Sequence, residues 1–200
     1  MADDEASGRQ ASAYTRRWQR HRQRVWSLLT LILWAGALTI LGCSSNDDDG
    51  GEQRSASLTG AQEVPPANST AAGTAAFNIN EARTQIDFTL TITTALPNIR
   101  EAHIHIAATG VNGPIVLDFC TTGLVNPPNG VPLPPTCPTA PFTLSGSLTA
   151  ANLRAITPAI TAAGVSSFAD AVNNILSGNA YANVHTTAFP GGEIRGQIGP

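Results

Sequence analysis

Residues 85 to 93 read Gln-Ile-Asp-Phe-Thr-Leu-Thr-Ile-Thr, with an apolar side chain at every second position. Successive side chains of an extended strand point to opposite faces, so a period of two buries one face only if this segment is a β-strand. The same alternation, or a short apolar run between turn residues, recurs near 55–60, 73–80, 84–94, 100–107, 113–119, 142–148, 180–186 and 192–199. Eight short strands separated by signals such as Asn112-Gly113 and Gly191-Gly192 predict an all-β fold, an antiparallel β-sandwich of Ig-like or Greek-key topology. Composition agrees, since only 12% of residues are charged while 18 are Gly and 14 are Pro, a turn-rich and β-leaning balance. Residues 149–177 depart from the pattern. There Phe168, Ala171, Val172 and Ile175 follow helical spacing, Thr149 and Ser167 are suitable N-caps, and Gly178 is a stop, which predicts a short helical insert over one end of the sandwich.

The amino-terminal segment is a different kind of sequence. Six of the eleven arginines (Arg9, Arg16, Arg17, Arg20, Arg22 and Arg24) precede seventeen uncharged, mostly apolar residues from Val25 to Leu41, and Gly42 and Cys43 follow. A basic stretch, an apolar stretch, a small residue and a cysteine make a secretion signal, and Ile40-Leu41-Gly42-Cys43 resembles a lipobox in which the cysteine is lipidated after cleavage. The alternative, an uncleaved membrane helix, would be short for a bilayer. Both readings leave the arginines inside and the remainder outside. The expected organisation is therefore a lipoprotein signal peptide over 1–42, a flexible acidic tether over 43–54 and one folded domain over 55–200. The expected location is the outer side of the cytoplasmic membrane or the outer membrane, with the membrane itself as a partner through the lipid.

From Cys43 onward five arginines face eleven acids, a net charge of −6, and the chain has no lysine. Nucleic acid is excluded as a partner, because no basic patch is available to neutralise phosphates. Of the three cysteines, Cys43 is assigned to the lipid, which leaves Cys120 and Cys137 to form a disulfide in an oxidising compartment. The loop they close carries Pro127, Pro128, Pro132, Pro134 and Pro135. Pro65-Pro66 reads as the exit from an edge strand.

Four histidines occur in the chain, and all but His21 lie in strand-like segments. On one strand Glu101, His103 and His105 share a face, opposite Ala102, Ile104 and Ile106. The same rule puts Tyr181, Asn183 and His185 together, and Glu193, Arg195 and Gln197 together. If these strands are neighbours, one polar patch forms. His103 and His105 would stand about 7 Å apart, within reach of one ion from opposite sides. With His185 they make a candidate metal site for copper or zinc, with Glu101 or Glu193 completing the sphere or orienting a ring, and Asn183 and Arg195 in the same polar patch. The competing reading is a ladder of hydrogen bonds that fixes strand register. No GxSxG, HExxH or phosphate-loop pattern is present, so no catalytic residue is assigned.

Three stretches carry a family resemblance: Leu58-Thr59-Gly60-Ala61-Gln62-Glu63-Val64-Pro65-Pro66, Ala102-His103-Ile104-His105-Ile106, and Tyr181-Ala182-Asn183-Val184-His185-Thr186 leading into Pro190-Gly191-Gly192-Glu193-Ile194-Arg195-Gly196-Gln197-Ile198. In this order they resemble the chordin-type (CHRD) domain, whose bacterial members are secreted proteins and lipoproteins. The resemblance implies an extracellular all-β module. The expected function is a non-enzymatic binding or interaction module with a protein or matrix partner. The alternative is a periplasmic copper- or zinc-binding protein with a three-histidine site and a redox-related role. His-x-His on a strand also resembles copper–zinc superoxide dismutases, whose richer histidine set this chain lacks.

Overall fold

A computed structural model describes residues 50–123 and 131–200. The signal segment, the lipid-attachment candidate Cys43 and most of the expected tether lie outside the described residues. Among those residues no helix is long and apolar enough to cross a membrane.

All eight expected strands form: β1 (Glu52–Thr59), β2 (Ala72–Ile79), β3 (Gln85–Ile92), β4 (Ile99–Ile106), β5 (Ile115–Thr121), β6 (Phe142–Thr149), β7 (Ala180–Thr186) and β8 (Ile194–Gln197). They build one antiparallel sheet in the order β5-β4-β7-β8-β1-β2-β3-β6. The connections from β3 to β4 and from β5 back to β6 cross between the two ends of the sheet, which gives it Greek-key character. The sheet rolls into a nearly closed, sandwich-like barrel. Its two ends meet across the core, where the Phe119 ring of β5 lies 4.9 Å from Phe88 of β3 and 6.1 Å from Phe77 of β2.

Alternation sets the inward face as the sequence predicts. Ala75, Phe77 and Ile79 of β2, Ile86, Phe88, Leu90 and Ile92 of β3, and Ala102, Ile104 and Ile106 of β4 are all buried in one core. β1 begins at Glu52, which pairs with Ile79, while Arg54 pairs with Phe77. The end of the expected tether, Glu52 to Arg54, therefore belongs to the sheet, because its backbone finds partners that a polar composition does not reveal. The proline exit is also corrected. β1 is bonded to both β2 and β8, so it is not an edge, and Pro65-Pro66 lie in the loop leading to β2.

The insert contains α1 (Pro158–Ala162) and α2 (Phe168–Leu176) after a 3-10 turn at Ala150–Asn152. Ser167 Oγ accepts from Asp170 N at 3.2 Å, and Phe168, Ala171, Val172 and Ile175 form the buried stripe. Thr157 and Pro158 start α1, a hydroxyl cap followed by a proline at the first helical position. The Cys120–Cys137 disulfide is formed and ties the proline loop to β5.

Candidate metal centre

The β4–β7 ladder sets the site. Its register places Glu101 opposite His185, His103 opposite Asn183 and His105 opposite Tyr181, and β8 extends two of these rows by pairing Asn183 with Arg195 and Tyr181 with Gln197. Directly opposed residues share a face, so the expected polar patch is assembled. The face is nevertheless not solvated. His103 is 0% exposed, His105 and His185 are 7% exposed, and every residue of β7 is buried.

Two loops cover this face. The 107–114 loop is held by Arg195, whose guanidinium donates to Val111 O at 2.7 Å and Asn112 Oδ1 at 3.0 Å while lying 3.3 Å above the centre of the Tyr181 ring. Tyr181 stacks in turn on His105, with ring centres 4.6 Å apart. The loop between β1 and β2 is pinned by Glu193, which accepts from Ser69 Oγ at 2.8 Å and Thr186 Oγ1 at 2.6 Å. Glu193 is thereby committed to the loop, and the histidine cluster does not include it.

The imidazole nitrogens carry the chemistry. His105 Nδ1 donates to Gly113 O at 2.8 Å, and His185 Nδ1 donates to Pro190 O at 2.9 Å. A ring that gives its Nδ1 proton to a carbonyl is fixed with a bare lone pair on Nε2. Both Nε2 atoms are buried without a hydrogen-bond partner. His103 Nε2 lies 3.3 Å from Glu101 Oε2 and 3.5 Å from Asp118 Oδ1, within ion-pair distance but not aligned for a hydrogen bond, and its Nδ1 has no partner either. One nitrogen from each of the three rings falls within 4.8 Å of the others. Nitrogens bound to one zinc at about 2.0–2.1 Å would be closer, so loading requires a contraction of roughly 1 Å, within reach of ring rotation.

Electrostatics support neutral rings at His105 and His185. Burial, followed by the neighbouring histidines His103 and His185, pushes His105 down to about 3, and burial also lowers His185. The contact with His103 is the main reason Glu101 is held at about 2, so it is a carboxylate at neutral pH. Two uncharged rings near an ionised carboxylate can accept a cation without first shedding protons. Glu63, from the covering loop, is raised by burial to about 7 although Arg195 opposes the shift.

Two glycines permit this enclosure. A Cβ at Gly113 would collide with the Ile106 carbonyl, and one at Gly192, where φ is +124°, would strike the Glu63 carboxylate. The structure also brings in residues that sequence reading does not assign: Asp118, Arg154, Glu63 and the carbonyls of Gly113 and Pro190. Asp118 could have been suspected as the one charge in the apolar run Ile115-Val116-Leu117-Asp118-Phe119. The carbonyls carry no sequence signal.

Fold and site together define an antiparallel β-barrel-like sandwich with a covered three-imidazole cluster on its outer face. The CHRD domain profile matches residues 54–198. The chain belongs to the CHRD domain family. No curated protein and no solved structure gives a match.

Proposed function

We propose that this CHRD domain is a metal-binding module that holds copper or zinc through His103, His105 and His185. The observation that carries the reading is the pairing of orientation with deprivation. Two rings are locked by backbone carbonyls, and the nitrogens they leave bare are buried with nothing to bond. A hydrogen-bond ladder would satisfy those atoms, since an unpaired buried polar group costs about 1–3 kcal/mol. Metal ligation satisfies them and uses the second ring nitrogen as metalloproteins generally do. Three imidazole ligands suit copper or zinc better than calcium or magnesium. Bound metal would supply a Lewis acid, or a redox centre if it is copper.

The role is binding rather than catalysis, at a site exported and tethered through Cys43. The basic and apolar leader supports that placement, and so does the disulfide, which persists where thiols are not kept reduced. An unidentified protein or matrix partner belongs to a second reading, favoured among the described residues by Val111 (53% exposed) on the 107–114 loop, Leu133 (68%) on the proline loop and Ile156 (44%) on the insert. Isolated apolar residues are ordinary on protein surfaces and give this reading little weight.

The test is elemental analysis and titration of the full chain, exported, oxidised and free of chelator and affinity histidines. Near-stoichiometric copper or zinc that is lost in His103→Ala, His105→Ala and His185→Ala while the fold persists supports the reading. No uptake at micromolar metal would sink it.

A further inference from the structure

The ring of His103 is the only one of the three whose outer nitrogen faces carboxylates rather than a backbone carbonyl, and the two carboxylates are not equivalent. Asp118 is claimed by Arg154, whose Nε donates to Oδ2 at 2.9 Å and whose Nη2 donates to Oδ1 at 2.6 Å. That oxygen, Oδ1, is the one 3.5 Å from His103 Nε2. Arg154 enters with the helical insert and is held by its own backbone, since its N–H donates to Val116 O at 3.0 Å. Glu101, 3.3 Å from the same Nε2, has no arginine in ion-pair contact among the described residues.

We infer that Glu101 and Asp118 hold the Nε2 proton of His103, that the ring therefore turns Nδ1 to the metal, and that Arg154 is a positioning residue setting how much negative charge His103 feels. This rests on the metal-binding reading above and specifies how its site is tuned. The geometry supports it in two ways. With Nε2–H aimed at the carboxylates, the bare nitrogens become His103 Nδ1, His105 Nε2 and His185 Nε2, all without partners in the protein. A small turn of the His103 ring that aligns Nε2–H with a carboxylate gives each ring an outer acceptor, as metal-bound imidazoles usually have. A carboxylate behind a ring makes it a more basic ligand, and a guanidinium on that carboxylate offsets the effect, because Arg154 sits on the same Asp118 oxygen that faces His103. More basic ligands favour the more highly charged ion, so the balance between Cu(II) and Cu(I) reports the charge behind His103.

The experiment compares Cu(II) and Cu(I) affinities, each by competition with a chelator of known affinity, in the full chain and in Glu101→Gln, Asp118→Asn and Arg154→Gln. Glu101→Gln and Asp118→Asn should weaken Cu(II) relative to Cu(I), by about 10- to 100-fold as is usual for outer-shell changes. The Glu101 effect should be the larger, because Arg154 is bonded to Asp118 and acts on Glu101 only from a distance. Arg154→Gln should shift the ratio the opposite way, towards Cu(II), by unmasking Asp118. The opposite signs are decisive, since Asp118→Asn and Arg154→Gln break the same ion pair and would move a purely structural property in one direction. Shifts of the same sign, or none, overturn the inference while leaving the metal site standing. A wild-type chain that binds neither copper ion nor zinc overturns the metal-binding reading and this inference with it. If a single variant is poorly folded, the double variant Asp118→Asn/Arg154→Gln, which removes both charges, is expected to return towards the wild-type ratio.

Discussion

Two walls of the same sheet, β3–β6 and β4–β7, start from similar sequence patterns and end in opposite circumstances. In β3–β6 the polar face looks into water and its side chains pair across the strands, Thr89 with Ser145 at 3.1 Å and Thr91 with Thr143 at 3.2 Å. In β4–β7 the equivalent face is roofed by loops, and its imidazoles retain bare buried nitrogens. Alternation shows which residues share a face but not whether that face is wet. The polar residues that mark a site are those the fold encloses without satisfying.

The comparison can be broken at several levels. The two walls share one core, so Phe119→Ala, which removes the ring facing Phe77 and Phe88, should cost about 3–5 kcal/mol in denaturant unfolding and weaken both. If it cost much less, the ends of the sheet would not depend on each other. Replacing Cys120 and Cys137 by serine should cost about 3 kcal/mol on the loop-entropy model, and reductant added to the wild type should reproduce the loss. At free metal a hundredfold above Kd the folded state should gain about 2.7 kcal/mol. That gain should vanish in the triple histidine-to-alanine variant and persist in Thr91→Ala.

Acid separates the walls without mutation. For His105, held at about 3 against an ordinary 6.5, the unfolded chain binds the proton first. Its contribution is complete above pH 6.5 and is lost as pH falls towards 3, and the lowered His185 acts in the same direction. Without metal, His105→Asn should therefore gain on wild type as pH drops through this window, by at most about 1.4 kcal/mol per pH unit. Glu63 works the other way. Raised from 4.5 to about 7, it binds its proton more tightly when folded, so it weakens the fold as pH rises across that interval. Glu63→Gln should accordingly gain on wild type towards pH 8 when thermal midpoints are compared. The smallest effect belongs to the open wall, where Thr91→Ala should cost about 0.2–1 kcal/mol, with no pH dependence.

Much of the fold was legible because alternation is a local signal. Gln85 to Thr93 could bury Ile86, Phe88, Leu90 and Ile92 in only one way, and β3 does so. Ser167 and the Phe168, Ala171, Val172, Ile175 stripe located α2 on equally local grounds. The histidine face was legible for the same reason. What could not be read depended on distant pieces of chain: that Glu52 to Arg54 have strand partners in β2, that Arg154 reaches Asp118, and that the 107–114 loop folds back under Arg195 to roof the site. Glu193 shows the limit well. It was grouped with the polar patch, but its hydrogen bonds to Ser69 and Thr186 make it an anchor for a loop.

The carbonyls that orient His105 and His185 belong to Gly113 and Pro190, on either side of the proline loop and the helical insert. No local stretch of the unfolded chain can present the three rings together, because their meeting requires β7 to pair with β4 across a long separation in sequence. On the proposed reading, a chain threaded unfolded through a membrane brings no ion across with it. The identity of its metal is then decided by what the receiving compartment offers at the moment the sheet closes.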